Sequence, residues 1–155
     1  MEYIVHIVSH EGVKVYLNKI KVTKEWKVPT TIKQLQGFLR LKRCYRNFVK
    51  NYGRIETPLK TLKKDAFSWT LEATKAFEHI KEAMCLAPVL VMADFTKTFI
   101  VEYDASRNGI GVGLMQDRRP IAFESRPIKG KYLHIAIYEK EILAILHALN
   151  KWNLT

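Results

Sequence analysis

The apolar pattern of this chain changes period near Asp94, and that change limits the folds open to it. Between an opening β-branched stretch and Asp94 the apolar residues recur at helical spacing, and after Asp94 they fall in short runs separated by glycine-containing turns. A hairpin, then helices, then strands with one more helix at the end describe an α+β protein.

The opening Tyr3-Ile4-Val5-His6-Ile7-Val8, the turn Ser9-His10-Glu11-Gly12 and the returning Val13-Lys14-Val15 predict a short hairpin. Two strands alone are marginal in water, so this hairpin calls for more sheet beside it. After Pro29-Thr30 a helix is expected over residues 31–50, with Thr31 as its cap and Gln34 at capping-box spacing. Ile32, Leu35, Phe38, Leu39, Tyr45, Phe48 and Val49 form its apolar stripe. Lys42 falls inside that stripe, where a charge must snorkel or distort the packing. Pro58 allows a short helical turn through Leu62, and Lys63-Lys64-Asp65 links onward. Thr70 caps a helix reaching Met84, with Ala73, Ala76, Phe77, Ile80, Ala83 and Met84 as its core face.

Beyond Asp94, strands are expected over residues 99–103, 110–116 and 120–125. A helix over residues 135–152 is apolar almost all round, which predicts burial on every side.

Charge is as unevenly placed as hydrophobicity. Residues 14–64 hold 15 Lys or Arg against Glu25 and Glu56 alone, a net +13 in a chain of net +11. The remainder sums to −2. Surfaces shaped only for solubility mix both signs, so a polycationic segment favours a polyanionic partner over a merely solvated face. On the helix over 31–50, Lys33, Gln36, Arg40, Arg43, Asn47 and Lys50 share a face away from the apolar stripe.

Several function classes find no support. No apolar run approaches the ~18 residues of a membrane span, and the first residues lack the basic start of a signal peptide. Cys44 and Cys85 lie far apart without CxxC spacing and read as reduced structural thiols of an intracellular protein, in cytoplasm or nucleus. His6, His10, His79, His134 and His147 have no metal-ligand spacing, and there is no phosphate-cradling glycine loop. Asn153-Leu154-Thr155 matches a glycosylation sequon, without a secretory signal to give it meaning.

Two carboxylates carry candidate chemistry. Asp104 closes the hydrophobic strand and opens the turn Ala105-Ser106-Arg107-Asn108-Gly109, a placement that suits a divalent cation and a phosphate. An aspartate after a strand also starts a turn with no further role. Glu141 has Ile137, Tyr138, Ala144 and Ile145 as helical neighbours, so it points along an apolar face where an unpaired carboxylate is costly. A metal would remove that cost, and so would a route to solvent at the face's edge.

In order, the segments Tyr3…Gly12-Val13, Lys19-Ile20, Trp26…Pro29, Gln34-Leu35…Gly37-Phe38-Leu39 and Tyr45-Arg46-Asn47-Phe48 form one series. Pro58-Leu59, Phe67-Ser68-Trp69-Thr70, Ala76-Phe77 and Ala87-Pro88-Val89-Leu90 continue it. Asp104-Ala105-Ser106…Gly109-Ile110-Gly111, Leu114-Met115-Gln116, Pro120-Ile121-Ala122 and Tyr138-Glu139-Lys140-Glu141 complete it. This series resembles the polyprotein of gypsy-type long-terminal-repeat retrotransposons.

The resemblance implies a three-part organisation. Residues 1–16 would be a hairpin from the end of the reverse transcriptase palm. Residues 17–66 would be a basic thumb-like module, and residues 67–155 a connecting helix with part of a ribonuclease H-like unit of three strands and a helix. That family uses four acidic residues around two Mg²⁺ ions to cleave the RNA of an RNA–DNA hybrid. Asp104 and Glu141 would be the first two, as catalytic and metal-binding residues, with the later pair expected beyond Thr155. Two carboxylates hold at best one Mg²⁺ weakly, so the expectation is a chain inactive alone. No YxDD-type pair of polymerase aspartates occurs in the sequence.

Lys33, Arg40, Arg43, Arg46 and Lys50 would bind the backbone of an RNA–DNA hybrid or duplex without reading bases. The sequence departs from the family where Arg40, Lys42 and Arg43 replace small residues and Lys27 a proline. In the family's full sheet the first strand is central, so here residues 99–103 would form an open apolar edge suited to self-association or strand addition. A ribonuclease H subunit completed by another chain and a purely structural interaction module are the competing readings.

Overall fold

A computed structural model describes residues 6–43, 45–62 and 67–154. The expected strand at 3–8 enters it at His6, while Cys44, the Lys63-Lys64-Asp65 link and Thr155 lie outside the described residues.

β1 (His6–Ser9) and β2 (Gly12–Val15) form the antiparallel hairpin. The additional pairing that it needs comes from far along the chain. Val13 and Leu90 exchange backbone hydrogen bonds, N to O 2.7 Å one way and 2.8 Å the other, and Val91 N–H donates to Pro120 O at 2.8 Å. Gly12 makes this possible, because a β-carbon there would overlap the Leu90 carbonyl oxygen.

α1 (Leu17–Lys24) follows directly, an eight-residue helix with only Thr23 buried. α2 (Ile32–Arg43) begins as its cap predicts: Gln34 N–H donates to Thr31 Oγ1 at 3.2 Å. The reciprocal bond reaches one residue further back, from Thr30 N–H to Gln34 Oε1 at 2.8 Å. The helix expected over 31–50 does not run that far. α2 stops at Arg43, a single 3₁₀ turn occupies Arg46–Phe48, and Asn51 adopts φ 57° before α3 (Tyr52–Lys60). Tyr45, Phe48, Val49 and Tyr52 keep the spacing of one helical stripe and all enter the core, although the helix is broken between them.

α4 (Leu71–Cys85) starts at Thr70, whose hydroxyl accepts from Ala73 N–H at 3.1 Å, and buries Ala73, Ala76, Phe77, Ile80 and Met84. These side chains join Leu35, Phe38, Tyr45, Phe48, Tyr52, Leu59 and Phe123 in the larger core.

Lys42 resolves the misfit in the stripe by neither snorkelling nor distortion. It is 1% exposed, its Nζ hydrogen-bonded to Thr23 Oγ1 and lying 5.4 Å from the Trp26 ring, 5.5 Å from Phe38 and 6.0 Å from Tyr45. Burial lowers its pKa to about 8.

The second half is an antiparallel sheet of β3 (Ile100–Ala105), β4 (Gly109–Gln116) and β5 (Arg119–Pro127), in that order, with a bulge at Leu114/Met115. β4 is central and largely buried, whereas β3 is an edge strand with Ile100 and Tyr103 exposed. The two-residue turn Asp117-Arg118 has both residues at positive φ, 51° and 62°.

α5 (Ile137–Trp152) packs across β3 and β4, and its all-round burial is not observed. Ala144 and Ala148 bury against Ile110, Val112 and Ile128, while Tyr138, Ile142 and Leu146 on the far side, and Ile137 in the first turn, are about half exposed. The two alanines let helix and sheet approach closely, and that contact uses only one side of the helix.

Candidate active site and nucleic-acid interface

Asp104 is the penultimate residue of β3 and pairs in register with Gly111 of β4. Its carboxylate faces the start of α3. Oδ2 accepts from Asn51 Nδ2 at 3.0 Å and pairs with Arg54 Nη1 at 3.5 Å. Neighbouring contacts fasten the same segment to the sheet. Gly53 N–H donates to Ser125 Oγ at 2.7 Å, and Arg46 Nη2 donates to Ser125 O at 2.7 Å and to Glu124 Oε1 at 3.3 Å.

Around Asp104 lies a cavity of about 330 Å³, with Asn51, Arg54, Arg107, Ser125 and Arg126 also in its wall. Three guanidinium-bearing residues surround one carboxylate. The loop after Asp104 is fixed from the other side by Lys140, a buried residue of α5. Its Nζ donates to Arg107 O at 3.1 Å and to Leu133 O at 3.0 Å.

Glu141 sits in the second turn of α5, half-buried, beside the stripe of Lys140, Ala144 and Ala148 that faces the sheet. It has no hydrogen-bond or ion-pair partner among the described residues. The helix carrying Glu141 packs on the strand carrying Asp104, but among the described residues no hydrogen bond or ion pair links Glu141 to Asp104 or its partners.

Mg²⁺ binds where several carboxylate or carbonyl oxygens converge on an unoccupied point. No group of three or more His, Cys, Asp and Glu that could hold a metal occurs among the described residues, and Asp104 already has a guanidinium against it. The side chains present do not fit Mg²⁺ in this arrangement.

Of the basic residues, Lys33, Arg40 and Arg43 lie on α2, exposed and without an ion pair among the described residues. Lys50 falls beyond the end of α2, in the loop before α3, with its Nζ 3.9 Å from Glu102. Arg46 is committed inward, to Glu124 and Ser125.

Glu124 is 8% exposed and gathers two cations, Arg46 at 3.3 Å and Lys151 at 3.7 Å, with the His147 imidazole 4.0 Å away. This hub joins the 3₁₀ turn, β5 and α5. Sequence reasoning passed over Asn51, Arg54, Glu124 and Ser125. Nothing local marks them, since their partners lie about fifty to eighty residues away.

Comparison with known proteins places this geometry in context. The chain is 38% identical over 146 residues to the retrovirus-related Pol polyprotein from transposon 297 of Drosophila melanogaster, covering 92% of the chain and 14% of that protein. It is 32% identical to the corresponding polyproteins of transposons opus and gypsy from the same organism, covering 97% of the chain and 17% and 16% of theirs. The chain thus spans under a fifth of the length of these relatives. Among solved structures, it matches the foamy viral protease-reverse transcriptase dRH in complex with double-stranded DNA at TM-score 0.85 and 25% identity, over 97% of this chain and 28% of that one. The foamy viral protease-reverse transcriptase in complex with RNA/DNA hybrid matches at TM-score 0.84 and 25% identity, over 97% and 21%. The model of an RNase H-like domain found in reverse transcriptase matches residues 69–154, more than half of the sequence, and the chain belongs to that family.

Proposed function

We propose that the chain is a reverse transcriptase/ribonuclease H-like segment that holds a nucleic-acid backbone through α2 and is not a nuclease by itself. The observation that carries this is the exposed row Lys33, Arg40 and Arg43 on one helix, with no carboxylate partner among the described residues. Lys50, beyond the helix break and beside Glu102, adds exposed positive charge nearby, while Arg46 turns inward to Ser125. Such a row follows phosphates and reads no sequence. The foamy viral relatives solved with double-stranded DNA and RNA/DNA hybrid support the same class of partner. In this reading residues 17–66 are the thumb-like module and residues 67–155 the connecting helix and ribonuclease H-like unit, with residues 1–16 as the hairpin that precedes them.

The surroundings of Asp104 support inactivity of the chain by itself. Arg54 and Asn51 would have to leave its carboxylate before a metal could be held, so Mg²⁺ binding is weak. Asp104 and Glu141 remain the two residues with a catalytic and metal-binding role in any completed site.

Fluorescence anisotropy with a short RNA–DNA hybrid tests the binding. With about four phosphate contacts, affinity should fall about 100-fold between 50 and 200 mM salt, equally for unrelated sequences. Affinity insensitive to salt would overturn the basic-face reading. Mg²⁺-dependent cleavage of the hybrid, abolished by Asp104→Asn, would establish a working ribonuclease H instead.

A second reading is favoured by one observation. The β3 edge exposes Ile100 and Tyr103, and α5 exposes Ile137, Tyr138, Ile142 and Leu146. An interaction module would use these surfaces for self-association or strand addition. Light scattering that gives a monomer at high concentration would count against it.

A further inference from the structure

The last turn of α2 and the Tyr52–Glu56–Lys60 side of α3 enclose a second cleft, of about 360 Å³, separate from the cavity at Asp104. Arg40, Arg43, Arg46 and Lys60 line it, with Glu56 the one acidic residue there. Glu56 is already matched by Lys60, Nζ to Oε2 2.7 Å. Arg46 is matched by Glu124, so Arg40 and Arg43 are left in excess.

The polar groups of the cleft are incompletely used. Tyr52 lines it and is 1% exposed, yet its hydroxyl has no hydrogen-bond partner among the described residues. Arg46 spends Nη2 on Glu124 and Ser125, but its Nε–H is buried without an acceptor among them. A buried donor left unpaired costs free energy that a fitting acceptor recovers. Burial first, and then the charge of Glu56, push the Tyr52 pKa up, so the phenol stays a neutral donor at any physiological pH.

Two unsatisfied donors beside two solvent-exposed guanidiniums call for one compact acceptor with several oxygens and negative charge. That is the chemistry of a phosphate group. The side chains at the mouth, Arg40, Arg43 and Lys60, are long and exposed, so they can shift to admit such a group to the donors at its floor.

We propose that this cleft is a phosphate pocket, formed by Tyr52, Arg46, Arg40 and Arg43, which seats one backbone phosphate of the strand lying along α2. The proposal rests on the nucleic-acid reading above and deepens it: most phosphates pass over the basic row, and one is held at a fixed point.

Tyr52→Phe tests this without changing charge or removing a partnered group. Hybrid affinity and the thermal response to inorganic phosphate are measured for the native chain, Tyr52→Phe, Arg43→Gln and Lys33→Gln. Tyr52→Phe should weaken the hybrid about 5- to 10-fold at unchanged salt slope, and Lys33→Gln should lower that slope by about 0.9. Inorganic phosphate at millimolar concentration should raise the Tm of the native chain and of Lys33→Gln, but not that of Tyr52→Phe or Arg43→Gln.

Unchanged hybrid and phosphate binding in Tyr52→Phe would overturn the pocket, whatever its effect on stability. A phosphate response lost in Tyr52→Phe with hybrid affinity unaffected would overturn the backbone as its source. If the native chain fails to bind hybrid, the nucleic-acid reading falls, and the phosphate response alone decides the pocket.

Discussion

Asn51 lies so close over Gly111 that its side-chain oxygen occupies the place a β-carbon on Gly111 would take. From there its Nδ2 reaches Asp104, the cross-strand partner of Gly111, at 3.0 Å. The start of α3 is thus keyed to the sheet by the absence of a side chain.

Gly111→Ala should therefore displace Asn51 and cost about 1–3 kcal/mol, as overpacking of a tight contact does. Combined with Asn51→Gly, which keeps the positive φ available and removes the obstruction, the same alanine should cost markedly less. Urea unfolding of the single and double variants checks the coupling.

Lys42 gives a prediction with a sign. Its folded pKa of about 8 lies below the ordinary 10.5, so between these values the unfolded chain binds more protons. Stability should rise as pH rises from about 8 to 10.5, and the full cost of the buried charge is present below pH 8. Lys42→Met keeps the stem among Trp26, Phe38 and Tyr45 and removes the charge, while Thr23 Oγ1 still donates to Lys19 O at 2.6 Å. It should stabilise by about 1–3 kcal/mol at pH 7 and abolish the alkaline rise, read from denaturation midpoints across that range.

Lys140 is the opposite case. Its ammonium satisfies two carbonyls, so Lys140→Met leaves Arg107 O and Leu133 O without it and should destabilise by about 2–4 kcal/mol. Two buried lysines given the same substitution should move in opposite directions, and calorimetry of the pair shows whether they do.

His147 sets the acid side. Burial lowers its pKa below the ordinary 6.5, against an upward pull from Glu124, and the positive charges of Arg126, Lys151 and Arg46 add to the lowering. The unfolded chain then takes up the proton first, so stability falls as pH drops below about 6.5 and this contribution levels off beneath the folded value. His147→Gln should flatten that decline in acid titration followed by circular dichroism.

Arg118 occupies a left-handed turn position at φ 62° that a glycine would adopt without strain. Arg118→Gly should raise stability by about 1 kcal/mol, measurable as a higher Tm.

The parts of this fold that sequence exposes are those whose causes are local. Thr70 and Thr31 cap their helices through contacts three residues long, and the Ala73–Met84 face follows from spacing alone. The break between α2 and α3 has no such cause. It depends on Asn51 at positive φ and on Ser125, 72 residues from Gly53, neither of which a helical stripe can show. The all-round apolarity of α5 misled for a related reason: periodicity reports which residues could be buried, and only the sheet decides which are. Asp104 and Glu141 were visible as candidates. The guanidinium against Asp104 was not, since Arg54 stands 50 residues away.

The bridge from Val13 to Leu90, continued by Val91 to Pro120, also orders events during folding. Both pairings close long stretches of chain, whose entropy is lost before any contact rewards it. The α2–α4 core can collapse from nearer neighbours. The hairpin should then be among the last elements to become protected against amide exchange, and the first to open.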